Sequence, residues 1–416
     1  MTGSNAVWVL GGYQSDFARN WTAEGLEIDA MVAEVCRGAV EAAGIDPALV
    51  ETIHVGNAFG QLFTGQGHLG AMPATVEPAW WGVPAGRHEG ACASGGLAML
   101  AAMAELEAGR YDVALVVGAE IERTVRGAQA ADHMRAAAWA GHEGQDANVI
   151  WASMFSRVAD EYDRRYGVDD AHLREIGRLN LQNAKDNPLA QTRAWTFDER
   201  SFAADDQANP VVEGRLRRHD CSQVTDGGAA VVLVSSRFLE RHPDLARRPR
   251  SLLAGWGHRT VGLPLEQKLR VSEGDPYVLP HVREAVLHAF GRARVGSVDD
   301  LDLIETHDCF TASEYMAIDH FGITPPGMSW QAVESGDLAR GGRIPVNAGG
   351  GLIGTGHPVG ATGVRMVLDA HRQVTGQADA VQVEGARVAA TLNVGGSTAT
   401  TVCLVLRGEA DGGSAG

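Results

Sequence analysis

The stretch HEGACASGGLAML, residues 88–100, sets one cysteine, Cys92, among small residues just before a helical run of apolar ones. Gly90 ahead of it and Gly95-Gly96 behind it let the backbone turn tightly and approach a ligand closely. A thiol there meets a helix N-terminus. Such a site, with an imidazole nearby, can lower a thiol pKa from about 8.5 and make a nucleophile. A small core residue would fit the same position, because free cysteine is among the most buried residue types.

A second stretch, NAGGGLIGTGHPVGATG at 347–363, places His357 in a glycine-rich turn ahead of another helix. The turn is not GxGxxG and a proline follows the histidine, which argues against a dinucleotide loop. HDCF at 307–310 follows an apolar strand, so His307 and Cys309 fall at its C-terminal end, where open α/β sheets bind ligands. NVGG at 393–396 ends another strand, with the Gly395 amide free to face the same crevice. Of the remaining cysteines, Cys36 and Cys403 read as core and Cys221 as structural; Trp80-Trp81 reads as a loop anchor.

The elements that must hold these residues form a repeat. Residues 6–11 read as a buried strand, followed by a helix with Ile28, Met31, Val32, Val35, Cys36, Ala39 and Val40 on one face and a stop at Gly44. A strand over 49–59, the Cys92 helix to about Gly109 and a strand over 112–120 follow. The C-terminal part repeats the plan: a strand at 252–257, a helix with Val282, Ala285, Val286, Ala289 and Phe290 inward, and a strand within 300–310. Superposing the two sets Ile53 on Ile304, Ala58-Phe59 on Cys309-Phe310, and the Cys92 turn on the His357 turn. One half then presents a nucleophile and the other a base. Between Glu120 and Cys221 the pattern changes to amphipathic helices, with Phe155, Val158, Tyr162 and Tyr166 on one face, which reads as an inserted cap. The strand 229–236 returns to the first half, residues 241–250 connect the halves, and residues 408–416 read as a flexible tail.

Composition bounds the alternatives. With 45% hydrophobic and 21% charged residues in 416, the chain is globular and long enough for two or three cores. A net charge of −17 without a basic run disfavours nucleic acid. The apolar stretches are too short to span a membrane and the N-terminus lacks a basic leader, so a cytoplasmic protein is expected. Five cysteines at wide spacing, with no CxxC, fit a reducing compartment and neither a disulfide framework nor a zinc site.

These residues resemble the thiolase family: ACASG looks like its nucleophile motif, GGGLIGTGHPVGATG like its histidine motif, and the duplicated halves like its double βαβαβαββ core. The resemblance implies a layered α/β/α/β/α fold with 1–120 and 221–250 as the N-terminal half, 121–220 as the inserted cap and 251–407 as the C-terminal half. HDCF replaces the usual NEAF, and Asn393 stands where many thiolases carry a second catalytic cysteine. Sterol-carrier-protein-type thiolases show the same two changes. By that resemblance Cys92 is the nucleophile, His357 its base and Cys309 the acid/base residue, with oxyanion sites formed by His307 and His357 and by the amides of Cys92 and Gly395, and with Asn393 in support. The implied chemistry is Claisen condensation or cleavage of acyl-coenzyme A thioesters, with no tightly bound cofactor and no metal. A homodimer or homotetramer is implied, as is room for a small accessory subunit. Thiolase-like retro-aldol or carbon-acylating enzymes and a non-catalytic acyl-coenzyme A scaffold are the alternatives.

Overall fold

A computed structural model describes residues 6–409. Its strands run in chain order β1 (Val7–Gln14), β2 (Thr52–Gly56), β3 (Ala85–His88), β4 (Val113–Glu120), β5 (Val211–Glu213), β6 (Leu216–Arg217), β7 (Gly227–Ser235), β8 (Ser251–Thr260), β9 (Leu303–Thr306), β10 (Val388–Gly395) and β11 (Thr400–Gly408). All but the β5–β6 ribbon join one sheet in the order β3-β2-β4-β7-β1-β8-β11-β10-β9. The order is a repeat: β2-β4-β7-β1 in one half matches β9-β10-β11-β8 in the other. In each, the first pair is parallel and the rest antiparallel. The halves meet where β1 pairs with β8 through Trp8–Leu252 and Val9–Ser251. On its outer side Ile53 pairs with Ala85 of β3, whereas Ile304, paired with Ala390 on one side, has an isolated parallel bridge to Val346 on the other.

Helices build the layers. Ile28–Ala43 buries all seven predicted residues against β1, β4 and β7, and ends at Gly44 in the left-handed region, φ 68°. Pro280–Ala293 buries its five predicted residues against β8 and β11. Between the two halves of the sheet lie Ser94–Glu107 and Thr362–Val374, which touch each other; the second also packs on strands of both halves. Their apolar side chains share one core with Val402, Leu404 and Leu406 of β11. The layering is therefore the α/β/α/β/α arrangement expected.

Several boundaries differ from the sequence reading. The strands expected over 49–59 and within 300–310 shorten to five and four residues, Thr52–Gly56 and Leu303–Thr306, because their flanks turn into loops that carry polar side chains. Strand β3 was not anticipated: AGRH is polar and sits at the sheet edge, where no alternation is enforced. Residues 121–220 hold the helices Ile150–Tyr166 and Asp170–Asn183. Phe155, Val158 and Tyr162 are buried there, but Tyr166 is 40% exposed. Trp80 is buried and donates to the Pro47 carbonyl, while Trp81 is exposed, so only the first is an anchor. Gly408, assigned to the tail by sequence, pairs with Ser251 at the end of β11; residues 410–416 lie outside the described residues.

Candidate active site

The Cys92 and His357 turns meet because glycines remove the side chains that would keep them apart. A Cβ on Gly95 would lie 2.8 Å from the Val364 nitrogen, and one on Gly363 would lie 2.4 Å from both the Gly96 nitrogen and Asn393 Oδ1. These glycines serve close approach of two helix starts as much as turning. Cys92 itself sits in a 3-10 turn, Ala91–Ala93, leading into Ser94–Glu107. Ala91 before it has φ 51°, a left-handed conformation that costs a non-glycine residue about 1–2 kcal/mol. Ser94 holds the turn, donating to the Ala91 carbonyl at 2.6 Å and accepting from the Gly90 amide at 3.0 Å.

Burial opposes the lowering of the thiol pKa that a helix N-terminus favours. Burial pushes the Cys92 thiol up to about 12; the neighbouring Glu122 carboxyl adds to this, and the amides of Gly396 and Cys92 oppose it. Burial, with help from the Arg365 guanidinium, holds His357 down at about 3. Both shifts favour the neutral pair of thiol and imidazole, from which His357 can take the Cys92 proton. The Gly396 amide also approaches the Cys92 sulfur. Gly395 is still in register with Thr400, and a Cβ there would strike the Gly90 carbonyl; Gly396, at φ 61°, is the residue that faces the cavity.

Hydrogen bonds fix the two imidazoles in opposite tautomers. Thr362 Oγ1 donates its only proton to the Pro358 carbonyl at 3.1 Å. It therefore accepts from His357 Nδ1 at 2.7 Å, which leaves His357 Nε2 with a lone pair. Asn393 Oδ1 accepts from the Gly96 amide at 3.2 Å, so its nitrogen is the donor to the Cys92 carbonyl at 2.9 Å and to His307 Nδ1 at 3.3 Å. The His307 proton then resides on Nε2. The rings stand nearly perpendicular, at 85°, with centroids 5.1 Å apart. One ring is a base and the other a neutral hydrogen-bond donor. The Cys92 sulfur and a nitrogen from each ring lie within 4.8 Å of one another, a donor set that would suit a soft divalent ion.

Cys309 completes the group. Ser313 Oγ, 3.9 Å from its sulfur, has one proton to share between the carbonyls of His307 at 2.6 Å and Phe310 at 2.7 Å. Burial and the nearby Cys92 push the Cys309 thiol well up. Cys92, Cys309 and His357 open onto one cavity of about 300 Å³. Its far walls come from the inserted region, with Met134, Trp151 and Phe155, the last stacked on Phe310 at 5.1 Å. Cys221, read as merely structural, also lines the cavity and bridges to Phe310.

Residues 7–237 match the thiolase N-terminal domain, and residues 266–408 match the thiolase C-terminal domain-like family. The chain belongs to the thiolase family. It is 30% identical to an acetyl-CoA acetyltransferase of Methanothermobacter thermautotrophicus over 95% of this chain and 97% of that one. It is 26% identical to sterol carrier protein 2 of Oryctolagus cuniculus over 97% of this chain and 72% of that one. Among solved structures, the Ltp2-ChsH2(DUF35) aldolase superposes with a TM-score of 0.75 at 21% identity, covering 97% of this chain and 98% of that one. Among the described residues no helix is long and apolar enough to cross a membrane.

In this thiolase the loops are tied down by buried carboxyls that the sequence reading missed. Glu120 accepts from the amides of Ala58, Phe59 and Gly360 and from Asn57 Nδ2. Asp308 accepts from Leu352, Ile353 and Asn180, joining HDCF to the glycine-rich segment before His357. Thr225 Oγ1 accepts from the His357 amide at 2.9 Å. The signal was present: acids inside otherwise apolar strands, as in LVVGAEIE and LIETHD, must find buried donors.

Proposed function

We propose that this protein is an acyl-coenzyme A C-acyltransferase that makes or cleaves 3-ketoacyl-coenzyme A through an acyl-enzyme on Cys92. The opposed tautomers of His357 and His307 beside two thiols carry the reading. In cleavage, the Cys92 proton passes to His357 Nε2 as the sulfur attacks the 3-keto carbon. The C2–C3 bond breaks, and the departing acetyl-coenzyme A enolate takes its proton from Cys309. Coenzyme A then attacks the acyl-enzyme; its thiol proton returns to Cys309, and His357 returns the other to Cys92. Burial keeps Cys309 protonated at rest, which is the form that cleavage requires. In condensation the steps reverse, with Cys309 first losing its proton. The enolate oxygen is met by His307 Nε2–H, and by His357 when protonated; the acyl-enzyme oxygen is met by the amides of Cys92 and Gly395. Such donors are worth about 10²- to 10³-fold each in rate.

The reaction requires acyl-coenzyme A and coenzyme A as partners. A homodimer or homotetramer assembled through the open edge at β3 is supported by the exposed Trp81, at 84%, just ahead of that strand. Intact-protein mass spectrometry with acetyl-coenzyme A tests the chemistry. Wild type should gain one acetyl group and Cys92→Ser none. An unshifted wild-type mass overturns the proposal, and turnover of a 3-hydroxyacyl thioester without any adduct would point to retro-aldol chemistry.

A further inference from the structure

The turn that joins β10 to β11 passes the nucleophile and is gripped from its far side. It runs through Gly396, Ser397, Thr398 and Ala399, directly after Gly395, and carries the amide that approaches the Cys92 sulfur. Gly396 at φ 61° and Thr398 at φ 63° both lie in the left-handed region, which a β-branched residue adopts only where its surroundings enforce it. Ser397 and Thr398 are buried. Two side chains of the C-terminal half hold them. Lys268, on the helix Leu265–Val271, donates to the Ser397 carbonyl and to Ser397 Oγ at 2.7 Å each, and to the Leu263 carbonyl at 2.8 Å. His281 Nε2 donates to the Thr398 carbonyl at 3.0 Å.

An ammonium taken out of water is costly unless its protons are met, and at Lys268, which is 5% exposed, neutral oxygens meet all three. Two of those oxygens belong to the turn. Burial pulls the Lys268 pKa down to about 8 and Glu143 of the inserted region opposes this, so at neutral pH the side chain keeps the three protons its acceptors require. Glu143 Oε1 also accepts from the Leu265 amide at 2.7 Å, which fixes the start of the helix that carries the lysine. An apolar side chain of the same length would fill the space and tie down nothing polar. A charge at this depth fixes the direction of the turn, and the direction of the turn decides where the amides of Gly395 and Gly396 point.

We propose that Lys268 is a positioning residue of the active site, which through Ser397 holds the β10–β11 turn so that the amides of Gly395 and Gly396 stay aimed at Cys92 and its acyl group. This rests on the acyltransferase reading for its effect on rate. In rapid-quench mass spectrometry with acetyl-coenzyme A, Lys268→Met should acylate Cys92 about 10- to 100-fold more slowly than wild type, because a displaced donor forfeits much of its effect on the transition state. Binding of acetyl-coenzyme A, titrated calorimetrically in a Cys92→Ala background, should stay within about twofold, since the tie acts on the reacting group and not on the coenzyme. Ser397→Ala removes one of the three acceptors, leaves the carbonyl, and should slow acylation about threefold; it carries the test if Lys268→Met does not fold. Acylation at the wild-type rate in either variant, or a slowing matched by equally weakened binding, overturns the proposal and leaves the acyltransferase reading standing. If wild-type Cys92 takes up no acetyl group, the acyltransferase reading falls instead. The tie is then read from deuterium exchange over residues 395–399, which Lys268→Met should speed about tenfold, and unchanged exchange there overturns it.

Discussion

Asn393 Nδ2 lies 3.3 Å from His307 Nδ1, and the same amide group reaches the Cys92 carbonyl and the Gly96 amide. A residue of the second half thus sets the protonation of one imidazole while gripping the nucleophile turn of the first. Asn393 touches neither substrate nor reacting atoms in this arrangement; it is a positioning residue.

Replacing it by aspartate tests that role. A carboxylate cannot donate to His307 Nδ1, so the proton moves there and Nε2 loses its donor. We expect Asn393→Asp to lower kcat by about 10²- to 10³-fold, the worth of one oxyanion donor. His307, held low by burial and by His357, should also gain affinity for a proton, adding an ionisation to the pH–rate profile. Asn393→Gln should recover part of the rate without that ionisation. An unaltered profile in Asn393→Asp would mean that the bond only braces the fold.

Cys309→Ala separates the two chemical stages. Acylation of Cys92 uses His357 and not Cys309, so adduct formation with acetyl-coenzyme A should survive within about threefold, whereas carbon–carbon bond making or breaking should fall by about 10³-fold or more, as expected for a lost proton donor and acceptor. Equal loss in both, measured by rapid-quench mass spectrometry and steady-state assay, would show that its role lies in holding Cys92.

The two helical faces Ile28–Val40 and Val282–Phe290 were legible because burial on one side of a helix writes a 3.6-residue period into the sequence. The pairing of halves was legible from repeated strand and turn order. What decides the chemistry was less so. Glu120, Glu122 and Asp308 act through amides far away in the chain, such as Gly360, Val359 and Leu352, and no local pattern records such partners. The upward push on the Cys92 thiol depends on groups packed around it from both halves of the chain, which no local pattern records.

That packing makes Gly363 a sharp test. A methyl there would meet the Gly96 nitrogen and Asn393 Oδ1 at 2.4 Å, both held by the backbone or by its bonds. Gly363→Ala should destabilise by about 1–3 kcal/mol or more and slow acylation of Cys92 by parting the two turns. Gly291, in the helix Pro280–Ala293, has open space where its Cβ would go. Gly291→Ala should instead stabilise by about 0.5–1 kcal/mol with acylation unchanged. Thermal unfolding with a parallel adduct assay distinguishes the two; a harmless Gly363→Ala would mean that the helix starts are not in contact.

Glu314 supplies a prediction in pH. It is fully buried, accepts from Asn180 and Asn347, leaves one oxygen unpaired, and is pushed up to about 8 by burial and by Asp308. A carboxyl whose folded pKa exceeds its unfolded one binds its proton more tightly when folded. Its contribution is therefore complete below about 4.3 and is lost as pH rises toward 8, at up to about 1.4 kcal/mol per unit. Glutamine mimics the protonated form and does not titrate. Between pH 5 and 8 the Tm of wild type should fall more steeply than that of Glu314→Gln, the two being closest at pH 5. Curves that stay parallel across this range would show that Glu314 is already ionised in the folded protein.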